Sequence, residues 1–162
     1  MELYAVLSGA GPAVMYAQTS MRIEKQFLAY GHDMDTDTSP LATPLGFAIA
    51  WDTDFIGRDA LMKSKYETPA MQIATLLFDD PNAWPLGNEP IYQGDRIIGH
   101  TTSATYGHRV SAHVAIASVS RDAIDAVVDV DIGGKRWAAR AQTKAVFDPT
   151  GGRLKMITPR VP

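Results

Sequence analysis

The chain has 162 residues, of which 46% are hydrophobic and 20% are charged, and its formal net charge is −3. This composition is too apolar for a disordered chain and too charged for a membrane-spanning one. The cations are scattered and do not form the basic stripe that binds a phosphate backbone. The sequence contains no cysteine, which excludes disulfides, thiolate nucleophiles and cysteine-bound metals. We therefore expect a cytoplasmic protein that acts on neither nucleic acid nor a membrane.

A helix is predicted to begin at Pro12, because proline suits the first turn of a helix, where its missing N–H costs nothing. A short apolar segment ends just before it, at the glycine turn Gly9-Ala10-Gly11. Apolar residues then recur at helical steps, which predicts a face that packs against a sheet: Val14, Ala17, Met21 and Leu28. Gly31 is predicted to end this helix.

The helix is followed by a polar loop over residues 31–44, in which aspartate and threonine side chains can close turns. Residues 45–51 form a short apolar run, which predicts a buried strand. Residues 55–66 are predicted to form a further helix, which Pro69 ends.

From residue 69 onward, short strand-like segments alternate with glycine turns. Residues 72–78 are the first such segment. Gln93-Gly94-Asp95 and Gly133-Gly134 each lie between two strand-like segments, which predicts two tight hairpins. This pattern favours a small antiparallel barrel or sandwich. The predicted fold class is therefore α+β, with an α+β part first and an all-β part after a boundary near residues 65–70.

The glycine turn is also similar to the phosphate-binding turn of dinucleotide-binding units, where phosphates meet a helix N-terminus. Val14, however, replaces the last small residue of that pattern and would hold the helix away from its strand. The acidic residues about twenty positions further on, Asp33 and Asp35, lie in a polar loop instead of at a strand end. The glycines at positions 9 and 11 are equally explained if one helix ends there and a second helix begins at Pro12.

Residue spacing predicts no catalytic residue and no metal ligand. The four histidines match no zinc pattern, and we expect them to be polar residues on loops and strand edges: His32, His100, His108 and His113. The acidic loop around Asp35 lacks the glycine and the glutamate of a calcium loop. Phe47 follows a proline-bounded loop and can offer its ring to a flat ligand, although an aromatic in this setting is more often part of a core.

Four motifs occur in order and at characteristic spacing: Ser20-Met21-Arg22-Ile23-Glu24-Lys25, Tyr30-Gly31-His32-Asp33, Asp37-Thr38-Ser39-Pro40-Leu41 and Asp54-Phe55-Ile56-Gly57-Arg58-Asp59-Ala60-Leu61. Together they resemble the aminomethyltransferase (glycine-cleavage T-protein) family, in the branch fused to flavin amine dehydrogenases such as dimethylglycine and sarcosine dehydrogenases. Residues 99–107 and Phe147-Asp148-Pro149 resemble the C-terminal barrel of that family. The resemblance implies the end of a folate-binding domain over residues 1–68 and a β-barrel domain over residues 69–162.

The resemblance also implies tetrahydrofolate as the cofactor. Phe47 falls where the family has an aromatic that contacts folate, usually tyrosine or tryptophan, and is the one residue predicted to bind the cofactor. Gln18 falls where T-proteins have an arginine that holds the folate. The catalytic aspartate of the family belongs to a part of the folate domain upstream of the matched motifs, and no flavin-domain residues are matched. No catalytic residue is therefore predicted here.

The first hypothesis is a C-terminal piece of a tetrahydrofolate-dependent enzyme of one-carbon metabolism, inactive alone. The enzyme would be an aminomethyltransferase or an N-methyl amine dehydrogenase, with a folate-dependent sulfonium demethylase as the alternative within the family. The second hypothesis is a folate-binding or structural module that is completed by a partner, either a flavin-containing chain or a second copy. The third is a dinucleotide-binding oxidoreductase that uses Gly9 and Gly11.

Overall fold

A computed structural model describes residues 15–155. The described residues contain the helices α1 (Met15–Glu24), α2 (Arg58–Ser64) and the single turn α3 (Gly152–Lys155), with 3-10 turns at Pro40–Ala42, Gly46–Ala48 and Arg121–Ala123. The strands are β1 (Met71–Phe78), β2 (Pro90–Gln93), β3 (Arg96–Gly107), β4 (Ala112–Ser120), β5 (Val127–Ile132) and β6 (Lys135–Gln142).

The strands form a closed antiparallel barrel in the order β1-β4-β3-β2-β5-β6, and β6 pairs again with β1. Closure leaves none of these strands with an unpaired edge. The interior is filled by alternate residues of the strands, among them Leu76, Phe78, Ile91, Ala115, Ala117, Val119, Val128, Val130 and Ala141. The predicted α+β class, antiparallel barrel and two glycine hairpins are confirmed.

The helix α1 packs on the outer surface of the barrel, across β3 and β4. Ile23 of the helix is fully buried in a second apolar cluster with Ile73, Val114 and Ile116. Since Ala115 points into the barrel and its two neighbours face the helix, β4 is buried on both sides. This explains why its sequence is apolar without interruption from Val114 to Ala117.

The predicted buried face of the first helix is wrong at Met21, which is 45% exposed, whereas Leu28 does pack on the second apolar cluster. The buried residues of the helix are instead Ser20, Ile23 and Glu24. The apolar period does not predict this face, because the polar side chains of Ser20, Arg22 and Glu24 also bind the barrel and the turn between its strands β3 and β4. The predicted end at Gly31 is also wrong, because the helix ends at Glu24 and Gln26 has a left-handed backbone (φ 55°).

The predicted buried strand over residues 45–51 is wrong as well. The segment contains a 3-10 turn, Gly46–Ala48, and Phe47 is 87% exposed. The closed barrel offers no free edge to which this segment could add. The predicted further helix is present as α2.

The glycine turn at residues 9–11 lies outside the described residues, and so does Val14. Within residues 15–155 we find no helix that is long and apolar enough to cross a membrane. The division of the chain at residue 68 stays a prediction.

Replacing Gly99 with alanine should destabilise the barrel strongly. A Cβ atom at this position would meet the carbonyl oxygen of Ser118 and would lie 2.8 Å from the Cα of Val119, both on the paired strand β4. We expect Gly99→Ala to lower the free energy of unfolding by about 2 kcal/mol, the scale of overpacking in a filled interior. Gly46→Ala is the control, because no atom lies within 4 Å of its added Cβ. Urea denaturation of both variants checks this, and equal stability of the two would contradict it.

Candidate functional site

The buried carboxylate of Glu24 joins α1 to the turn between β3 and β4. Its side chain is 1% exposed, and its Oε1 accepts the backbone N–H groups of Arg109 at 2.7 Å and Val110 at 3.2 Å. One helical turn earlier, the Ser20 hydroxyl donates to the carbonyl of Tyr106 at 2.8 Å. The C-terminal part of α1 is thus attached to the end of β3, the longest strand of the barrel.

A second buried carboxylate, Asp33, holds the loop after the helix. Arg22 donates to Asp33 Oδ2 at 2.8 Å and to Ser103 Oγ at 2.9 Å. Thr102 donates to Asp33 Oδ1 at 2.6 Å, and the backbone N–H of Ala29 donates to Oδ2 at 2.8 Å. The carboxylate is fully buried and completely hydrogen-bonded, so it behaves as a structural ion pair with Arg22. We call this network the Arg22–Asp33 latch.

The first two of the four sequence motifs therefore contain the residues that dock α1 and its loop onto the barrel. Sequence reasoning recognised these residues as a pattern but gave them no physical role. Their partners are 69 to 86 positions away in the chain, and nothing in the local spacing points to them.

A cavity of about 410 Å³ opens beside the helix. It lies between α1, the β3–β4 turn and the segment that leads into α3. Its lining is formed by Gln18, Met21, Arg22, Lys25, Phe27, Arg109, Phe147, Asp148 and Arg153. We call it the helix cavity. It combines aromatic rings with cationic groups, which suits a ligand that is flat at one end and anionic at another.

Phe147 is the centre of the cationic part of this cavity. The guanidinium carbons of Arg109 and Arg153 lie 5.0 and 5.1 Å from the centroid of its ring. Lys25 Nζ donates to Asp148 Oδ2 at 2.8 Å and to the Asp148 carbonyl at 2.8 Å. The Lys25 ammonium lowers the pKa of the Asp148 carboxyl, and the backbone N–H groups of Arg153 and Gly152 lower it further.

The predicted site residue Phe47 does not line the helix cavity, whereas Gln18 does. The fold places Phe47 on the exposed 3-10 turn, and its contact with folate stays a prediction. Sequence reasoning missed Arg109, Phe147 and Arg153 as site residues. These residues converge from distant parts of the chain, and only the Phe147-Asp148-Pro149 motif gave any signal near them.

Comparison with known proteins places the barrel in a family. Residues 72–148 match the glycine cleavage T-protein C-terminal barrel domain. The barrel belongs to that family. The chain is 32% identical over 153 residues to mouse dimethylglycine dehydrogenase, covering 91% of this chain and 18% of that protein. It is 33% identical over 154 residues to the mouse pyruvate dehydrogenase phosphatase regulatory subunit, covering 83% of this chain and 18% of that protein.

A solved structure shows the same fold. The glycine cleavage system aminomethyltransferase T from Bartonella henselae superposes with a TM-score of 0.75 at 21% identity, covering 82% of this chain and 38% of that one. The chain thus spans about a fifth of the length of the mouse relatives. The expected resemblance to aminomethyltransferases and dimethylglycine dehydrogenases is confirmed.

A histidine lies at one end of the T-protein barrel, beneath an aromatic cover. His113 is 2% exposed, and the ring of Trp84 lies 4.5 Å from it, centroid to centroid. Tyr106 contacts it edge-on at 5.1 Å. The expectation that every histidine is a polar residue of a loop or strand edge is therefore wrong for His113. Burial lowers its pKa, although a hydrogen bond to the Pro81 backbone acts in the opposite direction.

The Arg22–Asp33 latch should be worth far more than an exposed ion pair. Arg22→Gln leaves the Asp33 carboxylate buried without a countercharge, and we expect a loss of about 3 kcal/mol in the free energy of unfolding. The matched control is Arg96→Gln. Arg96 pairs with Asp122 on the surface, where both side chains are more than half exposed, so its loss should change the stability far less than the loss of Arg22. Urea denaturation measures both.

The double variant Arg22→Gln/Asp33→Asn tests whether the loss comes from the unpaired charge. We expect it to be more stable than Arg22→Gln alone, since an amide is cheaper to bury than a lone carboxylate. Additive losses in the double variant would show that the two groups are not coupled.

His113 should make the barrel less stable in mild acid. Because its pKa is lower in the folded protein than the ordinary value of about 6.5, the unfolded chain binds a proton first as pH falls below that value. Stability should therefore fall from pH 7.5 to pH 5.5, with a slope of at most about 1.4 kcal/mol per pH unit from this group. His113→Gln removes that part of the slope, which urea denaturation at the two pH values measures. An unchanged slope in the variant would refute the assignment.

Proposed function

We propose that this chain is the C-terminal part of a tetrahydrofolate-dependent one-carbon enzyme, of the aminomethyltransferase or N-methyl amine dehydrogenase type. The observation that carries the proposal is the helix cavity, because it joins aromatic and cationic groups directly beside the motif-bearing helix α1. The T-protein family of the barrel and the similarity to dimethylglycine dehydrogenase support it.

The residues present fit part of a folate. A folate has flat rings at one end and carboxylates at the other. Phe27 and Phe147 supply apolar surface, and Arg109 and Arg153 supply cations. A cavity of about 410 Å³ is at the small end of the range for ligand pockets, so it suits one portion of the ligand.

Two further residues belong to the same proposal. Gln18 lines the cavity where the resemblance places an arginine, and its amide can hydrogen-bond the ligand without adding charge. Phe47 is proposed to contact the rings of the folate, since its exposed side chain keeps the stacking face of the usual tyrosine or tryptophan.

Tetrahydrofolate, when bound, accepts the one-carbon unit. The residues of this chain are proposed to bind and orient the folate and to exclude water from one side of it. No proton-transfer role is assigned to them, because the resemblance places the catalytic aspartate upstream of the matched motifs. We therefore propose that the 162-residue chain alone binds reduced folate without turning over dimethylglycine or sarcosine.

The test measures the binding of reduced folate to the wild-type chain and to three variants. We expect saturable binding to the wild-type chain and about tenfold weaker binding to Phe147→Ala, because a cavity-lining ring is lost. Phe47→Ala tests the predicted second contact in the same titration. Tyr66→Ala is the control, since it removes an aromatic that is 85% exposed and outside the cavity. Absence of binding to the wild-type chain, measured by equilibrium dialysis, would overturn the proposal.

The second candidate function is a binding module completed by a partner. It is favoured by a set of exposed apolar side chains that precede the barrel: Phe27, Tyr30, Phe47 and Ile56. The mouse relative named as a regulatory subunit supports such a role. Sedimentation of the dialysis samples distinguishes the two functions. A chain that self-associates, and that binds folate only in the associated form or not at all, would favour the module, whereas a folate-binding monomer would favour the first proposal.

A further inference from the structure

We infer that Met21 is a site of reversible oxidation by hydrogen peroxide, and that its sulfoxide binds Arg109 and makes the helix cavity less able to accept a ligand. The oxidation and the new contact with Arg109 do not depend on the proposed function. The effect on ligand binding does rest on that function, and it adds regulation to the same cavity.

Met21 combines an accessible side chain with a place in the wall of the helix cavity. It is 45% exposed, and it belongs to the lining of the cavity. Met71, at the start of β1, is exposed to a similar extent, 39%, but does not line this cavity. A methionine is converted to its sulfoxide where an oxidant can reach the sulfur. Both side chains are therefore open to oxidation, and Met71 provides an internal reference for Met21.

Arg109 brings a guanidinium to the sulfur of Met21. Its Nη2 lies 3.7 Å from Met21 Sδ, at the distance of a weak N–H···S hydrogen bond. The arginine is also held at two other points, since its guanidinium carbon lies 5.0 Å from the centroid of the Phe147 ring and its backbone N–H donates to Glu24. No other methionine sulfur among the described residues has such a donor. The contact thus joins α1 to the turn between β3 and β4 along the cavity wall.

The oxidation transfers one oxygen atom to the sulfur. A sulfur lone pair of Met21 attacks one oxygen of hydrogen peroxide, so that an S–O bond forms while the O–O bond breaks. The proton on the attacked oxygen passes to the departing hydroxide, which leaves as water. The thioether is oxidised by two electrons, and the peroxide is reduced. Negative charge develops on the departing oxygen, and the guanidinium of Arg109 beside the sulfur stabilises it.

The sulfoxide changes the contact with Arg109. A thioether sulfur is a weak acceptor, whereas a sulfoxide oxygen is polar and accepts a charge-assisted hydrogen bond from a guanidinium. This bond engages N–H groups of Arg109 that the proposed function assigns to the ligand. Oxidation also replaces a flexible apolar side chain of the cavity wall with a polar one. Both changes oppose binding of a ligand that is flat at one end and anionic at another.

The first experiment exposes the full chain to dilute hydrogen peroxide and follows each methionine by peptide mass spectrometry. We expect Met21 to be oxidised about threefold faster than Met71, because Arg109 assists the step. Arg109→Gln should remove this difference, since glutamine has no positive charge. Arg121→Gln is the matched control and should preserve it, because this exposed arginine follows the opposite end of β4. Equal rates at the two methionines of the wild-type chain would overturn the inference.

The second experiment measures the binding of reduced folate after the peroxide has been removed by desalting. Oxidation should weaken binding to the wild-type chain about fivefold, and methionine sulfoxide reductase with a dithiol should restore it. Met21→Leu accounts for the other methionines, because its affinity should be the same before and after peroxide treatment. Met21→Gln places a permanent polar acceptor beside Arg109 and should bind more weakly than Met21→Leu without any peroxide.

A third readout separates failure of this inference from failure of the proposed function. The NMR signals of the Arg109 side-chain N–H groups should shift when the wild-type chain is oxidised, but not when Met21→Leu is oxidised. If folate binds neither form and these signals shift, the proposed function fails and the oxidation of Met21 with its contact to Arg109 stands. If folate binds the oxidised and reduced wild-type chains equally, the inference is overturned and the proposed function stands. Absence of both folate binding and the shift overturns both.

Discussion

Two carboxylates that are almost completely withdrawn from water hold the first part of the described chain on the barrel. Glu24 and Asp33 are 1% and 0% exposed at their side chains. A buried carboxylate is costly unless it is hydrogen-bonded or paired with a cation. Here backbone N–H groups, the Thr102 hydroxyl and Arg22 donate to three of the four oxygens, and Arg109 lies 3.7 Å from the fourth, Glu24 Oε2. Such an arrangement tolerates little displacement, so α1 has one orientation on the barrel. This orientation sets the shape of the helix cavity, because residues of α1 form part of its lining.

The closed barrel provides the rigid surface that this docking requires. Its strand β4 faces the interior through one set of residues and the helix through the other. A shift of β4 by one residue would exchange the two sets, which fixes its register strongly. The turn between β3 and β4 is therefore held in place, and with it the backbone N–H groups that Glu24 requires and the arginine that lines the cavity.

The barrel was largely predictable from sequence because its signals are local. Alternating apolar residues and the Gly94 and Gly133 turns lie within a few positions of one another, and the structure has both hairpins. The buried face of α1 was not predictable, because polar contacts with distant residues decide it. The strand predicted around Phe47 was wrong for another reason. The apolar residues of this segment fit a strand, but the closed barrel leaves no edge with which it could pair. Of the cavity arginines, Arg109 and Arg153 gave no local signal.

The attachments of α1 span long stretches of chain. The carbonyl of Glu24 accepts the backbone N–H of Phe147, and Lys25 pairs with Asp148, 123 positions later. During synthesis on the ribosome, this helix emerges well before the turn and the final segment that will cover its polar groups. Folding of the described region is therefore governed by late, non-local closure, which is slow compared with forming the helix itself. Until those parts of the chain are present, the charged side chains of the helix, Arg22 and Glu24, stay in water and lack the partners that hold the helix on the barrel.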